Sequence, residues 1–303
     1  MIGRKAPPGR RRIPWGVYLV LLPTFAALAV FAYYPALSGM LHSLYEWRPG
    51  FASPFVGLEN YVTMLGDDLW WASFRNIGII FVWAVTLMWV FPLLAAELVM
   101  SLSSERLRFV FRTLLILPLA FPAVVNVLLW QFMYDPRDGV VNSLLRAVGL
   151  DGLASNWIGD PDTALTALMT VGFPWVASLP FLVFLSALQN VPAEIYQAAE
   201  VDGAGRLRRL WSIDLPMMLR DVKLLLVMAV IAVLQYGMQA HIMTKGGPDN
   251  ATQVPVLRML DAAFLDTDWG YAAALGTVLF VLTLVVSVGA LLAGRKGGRN
   301  ARA

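Results

Sequence analysis

The sequence predicts an all-α membrane protein with six transmembrane helices. Of the 303 residues, 58% are hydrophobic and only 14% are charged, which is not the composition of a soluble globular domain. Six apolar stretches are each close to the roughly 20 residues that an α-helix needs to cross a bilayer. Basic residues concentrate in alternate loops between these stretches, and such a bias sets the orientation of helices in a membrane.

The six predicted helices are bounded by polar segments. They lie at about residues 13–34, 76–100, 110–134, 164–188, 219–243 and 271–293. The first is longer than a signal-peptide core of about 7–15 residues and lacks a small-x-small cleavage site, so we predict a membrane helix. Several helices contain proline, namely at Pro92, Pro118, Pro122, Pro174 and Pro180. Because kinks in a membrane need close neighbours to satisfy the freed carbonyls, we expect a tight bundle.

The charge distribution predicts that both termini are cytoplasmic. Seventeen of the 23 Lys and Arg residues lie at the two ends of the chain or after the second and fourth helices, and six lie in the opposite loops. By the positive-inside rule, the basic N-terminus (1–12), the basic tail (294–303) and the segment 192–216 face the cytoplasm. The transmembrane domain between them covers 13–293.

The segment 192–216 is polar although it stands between two apolar helices. Pro192 and Glu194 suit the first turn of a helix, and Gly203 and Gly205 break that helix. A second short helix follows, with apolar residues on one side and arginines on the other. Taken alone, the segment also fits an amphipathic loop lying in the headgroups.

The spacing in this segment resembles the EAA signature of permease subunits in ATP-driven (ABC) importers. Ala198-Ala199 is followed by Gly203 and, after nine residues, by Ile213-x-Leu215-Pro216. Asp202-Gly203-Ala204 resembles the carbohydrate-uptake branch. Gln197 stands where the signature has glutamate, and its amide can hydrogen-bond without a charge. The resemblance implies that the ATPase-coupling residues are Glu194, Gln197, Ala198, Ala199, Asp202, Gly203, Ala204, Ile213, Leu215 and Pro216.

Further segments extend the resemblance over about residues 15–290. They are 57–61, 117–122 and 243–248. The resemblance implies the type I ABC importer permease fold in a bacterial plasma (inner) membrane. It also implies a second permease subunit, two ATPase subunits, an extracytoplasmic sugar-binding protein and a sugar as partners. ATP and Mg would be bound by the ATPases, with no cofactor in this chain.

Catalytic chemistry is excluded by the residues themselves. The chain has no cysteine and two histidines, and it contains no Walker glycine loop with its lysine and no Ser/His/Asp set. An ion- or proton-coupled carrier is the alternative function. It requires an isolated carboxylate in the membrane and a repeat, whereas Glu97 lies near the cytoplasmic end of its helix, where we expect it to snorkel or to pair with Arg106 or Arg108.

Polar and aromatic side chains on three helices are candidates for a substrate path. Sugars need groups that hydrogen-bond hydroxyls beside aromatic faces that cover the apolar side of the ring. Residues of these types are Asn126, Trp130, Trp175, Ser178, Gln235, Tyr236 and Gln239. The family resemblance places Leu119, Ala123, Val233 and again Tyr236 near the sugar. Each polar residue would serve equally well to bridge neighbouring helices.

Overall fold

The structure is a computed structural model that describes residues 15–300. Within this range the chain is helical, with one isolated bridge between Tyr45 and Phe55 and no strand. The segment 1–12, the predicted helix start at 13–14 and the tail end 301–303 lie outside the described residues. The α-helices are α1 (Trp15–Leu28), α2 (Tyr34–His42), α3 (Glu59–Leu65), α4 (Asp68–Ser101), α5 (Glu105–Ile116), α6 (Ala123–Met133), α7 (Val140–Ala147), α8 (Pro161–Thr170), α9 (Ser178–Gln189), α10 (Ala193–Val201), α11 (Arg206–Arg209), α12 (Leu215–Met217), α13 (Leu219–Leu234), α14 (Met238–Met243), α15 (Pro255–Phe264) and α16 (Trp269–Asn300).

Four helical runs are long and apolar enough to cross a membrane. They are Tyr18–His42, Asp68–Met100, Leu219–Met243 and Trp269–Gly289. Two further pairs of helices are apolar enough together but are sharply bent, with angles of 93° between Glu105–Ala120 and Ala123–Met133 and 73° between Ser178–Gln189 and Ala193–Val201. The described part of the chain therefore has four spans, or up to six if each bent pair counts as one. The all-α prediction is confirmed for these residues.

The third predicted helix, 110–134, is not continuous. α5 ends in a 3₁₀ turn at Leu117–Ala120, Phe121 is extended, and α6 begins after Pro122. Proline has no N–H for the helix ladder and pushes the residue before it out of the helical region, so Pro122 breaks the helix. The prediction of one helix with a kink at this proline is wrong, because the chain leaves the helical conformation there.

The fourth predicted helix, 164–188, is also divided. α8 ends at Thr170 and α9 begins at Ser178. Gly172 between them has a φ of +86°, in the left-handed region that glycine tolerates and other residues resist. Pro174 follows, and like Pro122 it cannot donate to a helical ladder.

Capping residues explain why other helices exceed their predicted bounds. The Asp67 side chain accepts from the backbone N of Trp70 at 3.1 Å, so α4 starts at Asp68 instead of at residue 76. Asp268 does the same for Tyr271 at 3.0 Å, at the start of α16. The first helix continues through a π turn and α2 to His42, beyond the predicted end at residue 34.

The core surrounds α4. Its C-terminal half packs on α9 and α13 through Ala96, Phe184 and Leu225, which are all buried. Its other half packs on α8 and α15, where Ile77 and Ile80 join a second buried cluster. Residues 18–42 contribute no buried side chain, so α1 and α2 leave their apolar surface exposed.

Candidate functional site

A glycine turn ends α10 and shapes the coupling segment, by which we mean residues 192–216. The backbone N of Ala204 donates to the Ala199 carbonyl at 2.8 Å, and that of Gly203 donates to the Glu200 carbonyl at 3.1 Å. These two bonds form a Schellman motif with Gly203 at a φ of +67°. A Cβ at Gly203 would meet no atom within 4 Å, so glycine is required here by backbone conformation and not by packing.

The predicted coupling residues divide into an exposed and a packed set. The exposed set is Glu194, Gln197, Ala198, Asp202, Gly203 and Pro216. Ala199 is buried, while Ala204, Ile213 and Leu215 are half-buried. Apart from Pro216, which lies on α12, the exposed set presents small and polar side chains on α10 and its turn. Three large apolar side chains are also exposed in this segment, at Val201, Leu207 and Trp211. They are not among the predicted coupling residues.

The second half of the coupling segment is one helical run from Arg206 to Met217. It contains a π turn at Leu210–Asp214 between α11 and α12. Asp214, at the end of that turn, is 0% exposed. π turns inside helices are frequent at functional sites.

Asp214 belongs to a cluster beside the C-terminal end of α4, which we call the Arg209 cluster and which consists of Glu97, Tyr196, Arg209 and Asp214. Arg209 Nε lies 3.3 Å from Asp214 Oδ2, and Arg209 Nη2 lies 3.1 Å from Glu97 Oε2. The Tyr196 hydroxyl donates to Asp214 Oδ1 at 2.9 Å, and the guanidinium carbon of Arg209 sits 4.9 Å from the Tyr196 ring centre. Partial burial opposes the charge of Arg209, but Asp214 and Glu97 outweigh it and raise the pKa of the guanidinium.

The predicted partners of Glu97 were wrong. Glu97 pairs with Arg209, which lies 112 positions away in the chain, and not with Arg106 or Arg108. Arg108 Nε instead donates to the Leu102 carbonyl at 2.7 Å and so satisfies an acceptor just after α4.

A second cluster, which likewise has one arginine, one tyrosine and two carboxylates, lies at the other end of α4. This opposite cluster consists of Asp67, Arg258, Asp266 and Tyr271. Arg258 Nε lies 2.8 Å from Asp67 Oδ2 and Arg258 Nη1 lies 2.9 Å from Asp266 Oδ2. The Tyr271 hydroxyl donates to Asp67 Oδ2 at 2.6 Å. Burial opposes ionisation of Asp67, but the bonds from Tyr271 and Arg258 outweigh it and hold the pKa of Asp67 below its usual range.

Two of the predicted path residues bridge helices. Ser178 is buried, and its hydroxyl donates to the Leu115 carbonyl at 2.9 Å, which joins α9 to α5. Gln239 Nε2 donates to the Leu168 carbonyl at 2.7 Å, which joins α14 to α8. These two contacts are of the helix-bridging kind, and the contact of either residue with sugar stays a prediction.

The other predicted path residues lie near the two breaks, on α6 and α13, or between α13 and α14. Leu119, Ala123, Asn126 and Gln235 are exposed. Val233 is buried in the core, and Tyr236 and Trp130 pack against the same cluster.

An aromatic cluster surrounds Trp175 in the break between α8 and α9. Its ring centre lies 4.9 Å from that of Phe173, 5.3 Å from Phe91 and 5.6 Å from Trp83. The indole N–H of Trp175 is buried without a hydrogen-bond partner.

A groove of about 560 Å³ follows one face of α4 next to this aromatic cluster. It is lined by Arg75, Gly78, Ile79, Val82, Trp83, Thr86, Leu87 and Met169. None of the predicted path residues lines it. Trp83 connects the two features, because its indole N–H donates to the Met169 carbonyl at 2.9 Å while its ring touches Trp175.

Residues 88–296 match the family described as "Binding-protein-dependent transport system inner membrane component". This match covers more than half of the chain. The chain belongs to this family. It is therefore a multi-pass membrane permease subunit, and the prediction that it is not itself an enzyme is confirmed.

Similar proteins support the same assignment. The chain is 30% identical to "Probable ABC transporter permease protein YurN" of Bacillus subtilis, with 89% of this chain and 93% of that protein covered. It is 31% identical to "Diacetylchitobiose uptake system permease protein NgcF" of Streptomyces coelicolor, with 97% of this chain and 88% of that protein covered. These relatives favour the ABC permease over the ion-coupled carrier.

A solved structure has the same fold. It is a chain of a bacterial alginate ABC transporter in complex with an alginate pentasaccharide-bound periplasmic protein. The TM-score is 0.79 at 22% identity, with 91% of this chain and 92% of that chain covered.

The clusters at the two ends of α4 and the groove between them were not predicted from the sequence. Asp67 is far from Arg258 and Tyr271 in the chain, and no local spacing connects it to them. Trp83 and Thr86 lie in an apolar run that is indistinguishable from a lipid-facing helix. The detectable signals were Asp67, whose residue type suits a helix N-cap ahead of the predicted start at residue 76, and Glu97 near the end of the predicted helix 76–100.

Proposed function

We propose that this permease is one of two transmembrane subunits of an ATP-driven, binding-protein-dependent sugar importer. The second permease, two ATPases that bind ATP and Mg, and an extracytoplasmic sugar-binding protein complete the complex. The names of the relatives support a carbohydrate substrate, since one names diacetylchitobiose and the solved neighbour transports alginate.

The observation that carries the proposal is the exposed turn of α10. Gly203 holds the Schellman motif open to solvent, with Ala198 and Asp202 exposed beside it. A protruding turn with small side chains gives a partner protein close access to the backbone. The turn therefore suits docking to an ATPase subunit, which the EAA-like spacing also supports.

The proposed topology has six spans in a bacterial plasma membrane, with each bent pair counted as one crossing and both termini cytoplasmic. The bias of basic residues supports this orientation. In this orientation the Arg209 cluster would lie on the cytoplasmic side, beside the ATPases, and the opposite cluster beside the sugar-binding protein. A two-state switch driven by nucleotide would then turn the path from outward- to inward-facing.

The experiment is co-purification followed by reconstitution. A tagged copy of this permease is isolated with its partners, which are identified by mass, and the complex is placed in vesicles with ATP on the side of the ATPases. We expect a second permease, two ATPase copies and sugar transport that depends on both ATP and the binding protein. Transport that persists without ATP and follows an ion gradient would contradict the proposal.

A first prediction concerns the substrate path. Asn126 and Gln235 are exposed, whereas Gln239 and Ser178 bridge helices. A sugar bound against Asn126 and Gln235 would cover both side chains, and a sugar hydroxyl left without its partner then costs about 1–3 kcal/mol of binding free energy. Asn126→Ala and Gln235→Ala should therefore lower uptake per assembled complex roughly 5- to 150-fold. Gln239→Ala and Ser178→Ala should instead lower the amount of assembled complex. The reverse pattern would exchange the two assignments.

A further inference from the structure

We propose that the contact between Glu97 and Arg209 is the link through which movement of the coupling segment reaches α4. This inference rests on the proposed function, because it requires ATPase subunits that move the segment. It adds the residue pair that connects the segment to a membrane helix that is not its neighbour in the chain.

The first observation is that side chains from both halves of the coupling segment bind each other. Tyr196 on α10 and Arg209 on α11 both bind Asp214, at 2.9 and 3.3 Å. Asp214 is fully buried, and removing one member of a buried charged network is strongly unfavourable. The two halves of the segment are therefore expected to move as one unit.

The second observation is where this unit meets the rest of the protein. Among the side chains described within residues 16–289, Glu97 is the one charged side chain outside the coupling segment that pairs with a charged side chain inside it. The segment continues covalently into α9 and α13, but α4 has no such connection. The Arg209–Glu97 pair is therefore the direct polar contact between the moving unit and α4.

The third observation is the construction of α4 itself. Pro92 lies inside this 34-residue helix, five positions before Glu97. Because proline removes a backbone hydrogen bond, helices bend most readily at such positions. On the N-terminal side of Pro92, α4 carries Trp83 and lines the groove, and the opposite cluster binds the start of the helix. A pull on Glu97 would thus bend the last turns of α4 relative to the part that faces the groove.

The test compares Glu97→Gln with a matched control in the reconstituted complex. Gln keeps the size of the side chain but removes its charge. The control is Glu105→Gln, at an exposed carboxylate on the same side of the membrane that has no charged partner among the described residues. After assembly is measured, we expect the number of sugars taken up per ATP hydrolysed to fall about 5- to 150-fold for Glu97→Gln and to stay unchanged for Glu105→Gln.

Two outcomes overturn the inference while the proposed function stands. One is a wild-type ratio of uptake to hydrolysis in Glu97→Gln. The other is an equal fall of this ratio in Glu105→Gln, which would mean that the loss follows from removing any nearby carboxylate charge and not from breaking the contact with Arg209. If the wild-type chain itself assembles with no ATPase, the proposed function fails and the link falls with it.

Discussion

The two ends of α4 carry clusters of the same kinds of side chains, but different elements of the fold supply them. Each contains one arginine, one tyrosine and two carboxylates, and in each the tyrosine hydroxyl donates to a carboxylate that also binds the arginine. In each the guanidinium also lies over the tyrosine ring, at 4.9 Å for Arg209 and 5.6 Å for Arg258. The same chemistry therefore serves both ends of the helix.

The difference lies in which elements supply the groups. In the opposite cluster, Asp67 at the start of α4 is bound by Arg258 of α15 and Tyr271 of α16, so the cluster fastens three elements together. In the Arg209 cluster, three of the four groups come from the coupling segment and α4 supplies only Glu97. The first arrangement suits an anchor. The second suits a unit that keeps its own shape while it pulls on a helix.

The largest expected effect is that of Asp214→Ala. Asp214 is 0% exposed and has two partners, so its removal leaves Arg209 and Tyr196 facing a cavity. Breaking a buried charged network typically costs about 3–5 kcal/mol. We expect a large drop in the melting temperature of the purified permease. Glu200→Ala, at an exposed carboxylate on α10, is the control and should melt like the wild type.

Equal melting temperatures of Asp214→Ala and the wild type would contradict the stabilising role assigned to this cluster. It would mean that the coupling segment is held by its apolar contacts alone. A loss of sugar uptake without any loss of stability would likewise mean that Asp214 does not hold the two halves of the segment together.

A smaller effect with a defined pH dependence is expected for Asp67→Asn. Asn still caps a helix but has no charge for Arg258. Since the pKa of Asp67 is lowered in the folded state, its contribution is present above the usual Asp pKa and is lost as pH falls through the folded pKa. We therefore expect wild type to melt above Asp67→Asn at pH 7, and the gap to close as pH falls below about 4.

Melting curves of both proteins across this pH range provide the measurement. A gap that is the same at neutral and at acidic pH would show that the carboxylate charge of Asp67 is not what holds α15 and α16 to α4.

Local signals in the sequence were sufficient for much of the fold. Apolar length predicted the runs that became α4, α13 with α14, and α16, and glycine chemistry predicted the turn at Gly203. Prolines marked α5–α6 and α8–α9 as irregular. The sequence could not tell a kink from a break, because the outcome depends on which neighbours satisfy the freed backbone groups.

Long-range contacts explain what sequence reasoning missed in the site. Glu97 had nearby arginines as candidate partners, yet the folded chain brings Arg209 to it across 112 positions. Ser178 and Gln239 carried groups suited to sugar hydroxyls, but neighbouring carbonyls of Leu115 and Leu168 occupy them. The side-chain types were visible in the sequence, whereas the partners were set by packing.

The smallest expected effect uses one substitution at both ends of α4. Tyr196→Phe and Tyr271→Phe each remove a single hydroxyl that donates to a carboxylate, at 2.9 and 2.6 Å, and leave the ring under the guanidinium. A hydrogen bond to a charged group contributes about 1.5–3 kcal/mol, so both variants should melt slightly below the wild type. If the coupling segment is the moving unit, only Tyr196→Phe should also lower sugar uptake per ATP, because only that hydroxyl joins its two halves. A matching loss of coupling in Tyr271→Phe would mean that the opposite cluster also moves in each cycle, and the distinction between anchor and moving unit would not hold.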